Sequence, residues 1–203
     1  MICSILVLFP SLYSFKRGDY LFGRTGSFTF NTIKEESVMS FTYKLFMFED
    51  DGTTPNNPDL PVILYPGVFK KHPQEIESTF KLNNWRNSWV NGVLEYHHYH
   101  SNTHEVLGVR AGSAKLIVGG EKGEILDVNK GDVIVLPAGT GHKKITNSPD
   151  FEIVGAYPDG KDYNIQTGIP SERPRALAEI KQVEVPSTDP VFGNRGQVVD
   201  RWC

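Results

Sequence analysis

The sequence predicts an all-β fold, a small antiparallel β-barrel with one or two short flanking helices. Three observations predict it. Short strand-like segments recur after Gly92, at 93–100, 105–110, 113–118, 124–128, 132–136, 143–147 and 151–157. Gly, Asn, Asp or Pro separates nearly all of them, which is the turn chemistry of a sandwich or barrel. Helical segments do not alternate with them, which argues against a doubly wound α/β sheet.

Residues 1–15, MICSILVLFPSLYSF, hold a short apolar stretch broken by Pro10. No basic stretch precedes it and no clear small-residue cleavage site follows it. Residues 16–38 are polar with little periodicity, and Met39 opens MSFTYKLFMF. The expectation is an N-terminal extension over 1–38 outside the fold. A single domain then covers 39–203, with its barrel core over about 92–157 and a C-terminal arm over 158–203. A secretory or organellar leader in 1–38 is the competing reading; a cytoplasmic location is the favoured one.

Residues 40–48 alternate as a strand does. The Asp, Asn, Gly and Pro of 49–61 predict a loop. PVILYPGV (61–68) predicts a buried strand ended at Pro66-Gly67. Pro73 loses nothing at a first helical position, and Ile76 and Phe80, four apart, share a face. A helix is therefore expected over 73–83. NNWRNSWVNG (83–92) supplies two tryptophans and an Asn-Gly turn signal. Beyond the barrel, 171–180 predicts a short helix capped by Ser171 or its neighbours, 182–186 a strand, and 197–202 a last strand.

Composition narrows the function. Apolar residues make up 39% and charged residues 22% of 203, as in soluble globular proteins. The formal net charge of −3 lacks a basic footprint for nucleic acid. No basic amphipathic run or long apolar segment points to a membrane. Cys3 and Cys203 lie at opposite chain ends, without a CxxC pair, which fits a reducing compartment. No GxSxG occurs, and Gly119-Gly120 opens no helix, so neither a nucleophile elbow nor a phosphate loop is present.

The chemistry concentrates in HHYHSNTHE (97–105). On a strand over 93–100, His98 and His100 share one face, and His97 and Tyr99 share the other. In the next strand Glu105 shares a face with the core residues Leu107 and Val109. Parity thus nominates His98, His100 and Glu105 as an inward trio, a two-histidine, one-carboxylate set suited to a divalent metal. His97 and His104 fall outside it. Downstream, Gly139 and Gly141 permit a tight reversal that could aim His142 back at the trio. His72, Tyr96, Tyr99, Trp85 and Trp89 read as surface or packing residues. Arg110 and Lys115 read as strand surface.

This spacing resembles a known family. Gly92-x5-His98-x-His100-x4-Glu105-x6-Gly112 matches the first cupin motif at each fixed position. Gly131-x5-Pro137-x-Gly139-x2-His142 matches the second, except that Thr146 stands where the motif usually ends in Asn, and Asn147 follows. The stretches DLPVILYPG, WVNG, HHYHSNTHEVLGV, GDVIVLPAGTGH, ERPRALAEI and TDPVFG extend the likeness to YjlB-like cupins over roughly 40–203.

The resemblance implies a jelly-roll barrel (a double-stranded β-helix) around one metal. It carries the ligands over to His98, His100, Glu105 and His142. It also implies pairing of two chains as a homodimer. Three imidazoles and a carboxylate suit Mn, Fe, Co, Ni or Zn. The expectation is a metalloenzyme of oxygenase, decarboxylase or isomerase type acting on a small polar organic molecule. Glu105 serves as ligand and could serve as base. A non-catalytic protein that binds a sugar or carboxylate is the alternative.

Overall fold

A computed structural model describes residues 41–202. The extension expected over 1–38 and both cysteines lie outside the described residues. The strands are β1 (Lys44–Phe46), β2 (Val62–Tyr65), β3 (Trp85–Asn91), β4 (Glu105–Ala111), β5 (Ser113–Val118), β6 (Glu124–Asn129), β7 (Val133–Leu136), β8 (His142–Asn147) and β9 (Glu152–Pro158). The helices are α1 (Ile76–Leu82), entered through a 3-10 turn at Pro73–Glu75, α2 (Arg173–Ile180) and α3 (Gln197–Arg201). Two antiparallel sheets face each other, one in the order β1-β2-β7-β4-β9-β3 and one in the order β6-β5-β8. The fold is the all-β jelly roll expected.

The apolar runs VILY and VIVL are buried at every position because the six-stranded sheet is covered on both faces. Alternate side chains divide between two cores. Leu64, Leu107, Val109, Ile134 and Ile153 point between the sheets, where Leu116, Val118 and Leu126 meet them. Ile63, Val106, Val135, Val154 and Ala156 point outward beneath Ile76 and Phe80 of α1 and Val198 of α3. Gly108 belongs to this outer face. A Cβ there would lie 2.5 Å from Ile76 Cγ2, so the missing side chain lets α1 seat flush on the sheet.

The C-terminal arm is held by a buried polar node. Asp189 accepts a short hydrogen bond from the Tyr65 hydroxyl and backbone bonds from Val191, Phe192 and Val198. The backbone N–H of Gln197 donates to the same hydroxyl at 2.7 Å, so both ends of the contact are satisfied. Trp202 closes the arm, 1% exposed, and donates through Nε1 to the Pro61 carbonyl at 2.8 Å.

Several expectations need correction. Residues 93–100 form no continuous strand; only His98 and Tyr99 make isolated bridges, to His142 and Gln166. The partners on either side are too scattered to build a ladder. Residues 85–91, for which the sequence offered two tryptophans and an Asn-Gly turn signal but no strand, form the edge strand β3, whose pairing with β9 shifts register between Arg86 and Trp89. Residues 182–186 are not a strand. The strand expected over 197–202 is instead α3, because Val198 and Trp202, four apart, pack on one side against the outer core. No side chain caps α2 at Ser171; Glu172 turns back and accepts from the N–H groups of Thr167, Gly168 and Ile169. No described helix is long and apolar enough to cross a membrane.

Candidate metal centre

The site lies at one end of the space between the sheets. Glu105 is the first residue of β4, on the face of Leu107 and Val109, and is 2% exposed. His142 is the first residue of β8. It follows the turn in which Gly139 holds φ 91°, a conformation costly for other residues. That turn is tied down at both sides. The Gly139 N–H donates to the His100 carbonyl at 2.8 Å, and Gly141 N–H to Asn56 Oδ1 at 3.2 Å. His98 and His142 then exchange backbone hydrogen bonds of 3.2 and 2.9 Å. The segment before β4 is thereby laid beside the start of β8, and His98 and His100 turn inward.

The three nominated histidines cluster, and Glu105 meets two of them. One ring nitrogen from each of His98, His100 and His142 lies within 4.8 Å of the other two, and all three residues are buried. Glu105 Oε2 lies 3.3 Å from Nε2 of His100 and 3.3 Å from Nε2 of His142. His97 and His104 stand apart, as parity predicts. His97 Nε2 lies 3.0 Å from Glu121 Oε1. His104 is buried against Trp202, with Nδ1 accepting from the Ala138 N–H at 2.9 Å. Arg110 and Lys115 pair with Glu152 and Asp127 across neighbouring strands, away from the site.

Each site histidine faces a backbone carbonyl with Nδ1: Tyr96 at 3.2 Å for His98, Thr140 at 3.1 Å for His142, and Asn164 for His100. A carbonyl only accepts, so each Nδ1 carries the hydrogen. In the neutral ring the lone pair then sits on Nε2, toward the common centre. Burial and the neighbouring imidazoles of His142 and His100 pull His98 down to about 3, so it stays neutral. Burial opposes charge on His100, but the Glu105 carboxylate outweighs it and raises that pKa. Burial likewise works to raise Glu105, and His100 and His142 outweigh it, holding the carboxyl below its ordinary range. A proton shared between His100 and Glu105 and a metal cation are thus alternatives for the same space.

The remaining carboxylate oxygen is engaged. Tyr157 donates to Glu105 Oε1 at 2.8 Å, and Trp89 Nε1 donates to the Tyr157 hydroxyl at 2.8 Å. Burial and the nearby Glu105 charge push the Tyr157 phenol well up, so it remains a donor. Oε2 is buried and, among the described residues, accepts no well-directed hydrogen bond. A buried carboxylate oxygen without a hydrogen bond is costly unless a cation meets it. The three Nε2 lone pairs and this oxygen are the donor set that a divalent transition metal takes.

Residue-by-residue sequence reading missed the supporting groups. Tyr157 shares the inward face of β9 with Ile153, and strand alternation over 151–157 could have shown it. Trp89, read as packing, reaches the site because Gly155 has no side chain; a Cβ there would sit 2.2 Å from its ring. Asn164 gives no signal in the sequence. Its side chain is bracketed by Ser101 and Glu179, and its carbonyl orients His100. A cavity of about 230 Å³ opens over the histidines, walled by Trp89, Val93, Leu94, Leu107, Tyr163 and Ile165.

Comparison with known proteins agrees with this architecture. The cupin family model matches residues 77–172. The uncharacterized protein YjlB of Bacillus subtilis (strain 168) is 45% identical over 157 residues, which span 77% of this chain and 94% of that protein. The chain therefore belongs to the cupin family, as a YjlB-like member. Among solved structures, the WlaRB TDP-quinovose 3,4-ketoisomerase from Campylobacter jejuni is 17% identical, covering 42% of this chain and 71% of its own, with a TM-score of 0.35. The 11S globulin from Wrightia tinctoria is 16% identical, covering 54% and 22%, with a TM-score of 0.32.

Proposed function

We propose that this cupin binds one divalent transition metal (Mn, Fe, Co, Ni or Zn) through Nε2 of His98, His100 and His142 and Oε2 of Glu105. On this reading it is a metalloenzyme that acts on a small organic molecule. One observation carries the reading: three buried, carbonyl-fixed imidazoles each bring a ring nitrogen to one cluster, and a buried Glu105 oxygen without a hydrogen bond among the described residues lies 3.3 Å from two of them. A metal held there supplies Lewis acidity or redox chemistry toward an oxygen of the substrate. The protein's part is to fix the ligands, hold Glu105 through Tyr157, and keep the centre in an apolar cleft. Glu105 is committed to ligation at Oε2 and to Tyr157 at Oε1, so service as a base requires it to leave both.

Metal analysis of tag-free protein tests this. Wild type should carry near one metal per chain, and the double variant of His98→Ala with His142→Ala should carry none. A wild type that stays metal-free after exposure to Mn, Fe, Ni and Zn overturns the reading. Incubating loaded protein with a metabolite mixture, with and without oxygen, separates enzyme from binder. Turnover marks an enzyme; retention of an unchanged ligand marks the sugar- or carboxylate-binding alternative.

A further inference from the structure

The walls of the cavity say what kind of molecule meets the centre, and they differ from those expected for a polar substrate. Among the described residues, no lysine or arginine lines the cavity. Lys144 stands beside Gly92 at the rim, but its Nζ lies 3.2 Å from Glu95 Oε1 and is already paired. A phosphate, sulfate or second carboxylate on the part of the ligand that does not reach the metal would lie without a counter-charge, and burying an unpaired charge is strongly unfavourable.

The apolar side is organised around flat surfaces. Tyr163 stacks on Tyr157 with ring centroids 4.5 Å apart and planes 19° from parallel. Its ring also meets His100 edge-on at 5.2 Å. Trp89 borders the same space. Tyr163 and Ile165 remain 41% and 45% exposed and line the cavity. The cavity holds about 230 Å³. A cavity of about 150 Å³ accommodates benzene, whereas pockets for drug-sized ligands start near 300 Å³. One ring and a short oxygen-bearing group fill the space here.

We infer that the ligand of this site is a small planar, uncharged-bodied molecule, an arene or comparable ring. It carries an oxygen donor that reaches the histidine–glutamate centre while its ring lies against Tyr163 and Trp89. This rests on the metal reading above and adds the substrate class. Aromatic contact suits the stacked tyrosine and the indole, because offset and edge-on ring pairs are favourable beyond the area they bury.

Three hydroxamates that share one chelating group isolate the contribution of the body. Zinc content of the full-length chain is measured first, then binding of acetohydroxamate, benzohydroxamate and malonomonohydroxamate by calorimetry. Benzohydroxamate should bind about tenfold or more tighter than acetohydroxamate, from burial of the ring. Malonomonohydroxamate, which adds a carboxylate, should bind no tighter than acetohydroxamate. Tyr163→Ala should shrink the benzo-to-aceto ratio to about threefold or less, a ratio in which any effect on the shared chelating group cancels. A ratio near one, tighter binding of the carboxylate-bearing probe, or a ratio untouched by Tyr163→Ala overturns the inference while the metal reading stands. A chain that retains none of Mn, Fe, Ni and Zn overturns both.

Discussion

Replacing Tyr157 by Phe removes one oxygen and keeps the ring, so it probes how Glu105 is held. In the wild type the Tyr157 hydroxyl donates to Oε1 at 2.8 Å and accepts from Trp89 Nε1 at 2.8 Å. Glu105 is 2% exposed, so water does not readily replace the lost donor. A hydrogen bond to a buried charged group is worth about 1.5–3 kcal/mol, which corresponds to roughly 10–150-fold in an equilibrium constant. Freed at Oε1, the carboxylate can rotate away from the two Nε2 atoms that Oε2 faces. Zinc affinity, measured by competition with a chromophoric chelator, should therefore fall about 10–100-fold, the usual cost of losing an outer partner of a metal ligand. The fold should survive, because the ring still fills its place. Tyr163→Phe is the control: it preserves both the stack on Tyr157 and the edge contact with His100, removes only a hydroxyl, and should leave zinc affinity unchanged. An affinity for Tyr157→Phe within about threefold of wild type would refute the claim that this hydroxyl positions the carboxylate.

Two further predictions concern the fold around the centre. Gly108→Ala places a Cβ 2.5 Å from Ile76 Cγ2 and 2.9 Å from Phe80 Cζ. The variant should unfold about 1–3 kcal/mol more easily in urea, with α1 displaced, and an unchanged midpoint would show that α1 is not seated flush. Trp202→Ala empties a site that is 1% exposed and strips the Pro61 carbonyl of its donor. A loss of about 3–5 kcal/mol, read as a melting point lower by roughly 6–20 °C, is expected, and a drop of only a degree or two would mean that the arm contributes little.

Which parts of the site were legible depends on how far apart in sequence its contacts lie. His98, His100 and Glu105 sit within eight positions, so strand parity sorted them from His97 and His104 even though 93–100 is not a regular strand. Parity survived because bridges at His98 and Tyr99 still send neighbouring side chains to opposite sides. His142 was nominated by the two glycines before it and by the motif spacing. Tyr157, Trp89 and Asn164 were not nominated. Their roles arise from contacts 52, 68 and 64 positions apart in the chain, set by where β9, β3 and the following loop come to rest. The last helix was misread because a five-residue element has too few periods to separate alternation from a helical repeat.

The sequence by itself determined the β-class, the turns and the inward-facing histidines, because those follow from local backbone geometry and side-chain alternation. Only the tertiary structure decided that the Asn164 carbonyl fixes Nδ1 of His100, and that, among the described residues, Glu105 Oε2 is left without a hydrogen bond and no lysine or arginine lines a cavity bordered by Trp89, Tyr157 and Tyr163. The physical reason is that hydrogen-bond satisfaction and burial belong to groups brought together across the fold. The carbonyls facing His98 and His142 are only two positions away, but Asn164 lies 64 positions from His100 and Tyr157 lies 52 from Glu105, so no single stretch of the chain contains both partners of those contacts.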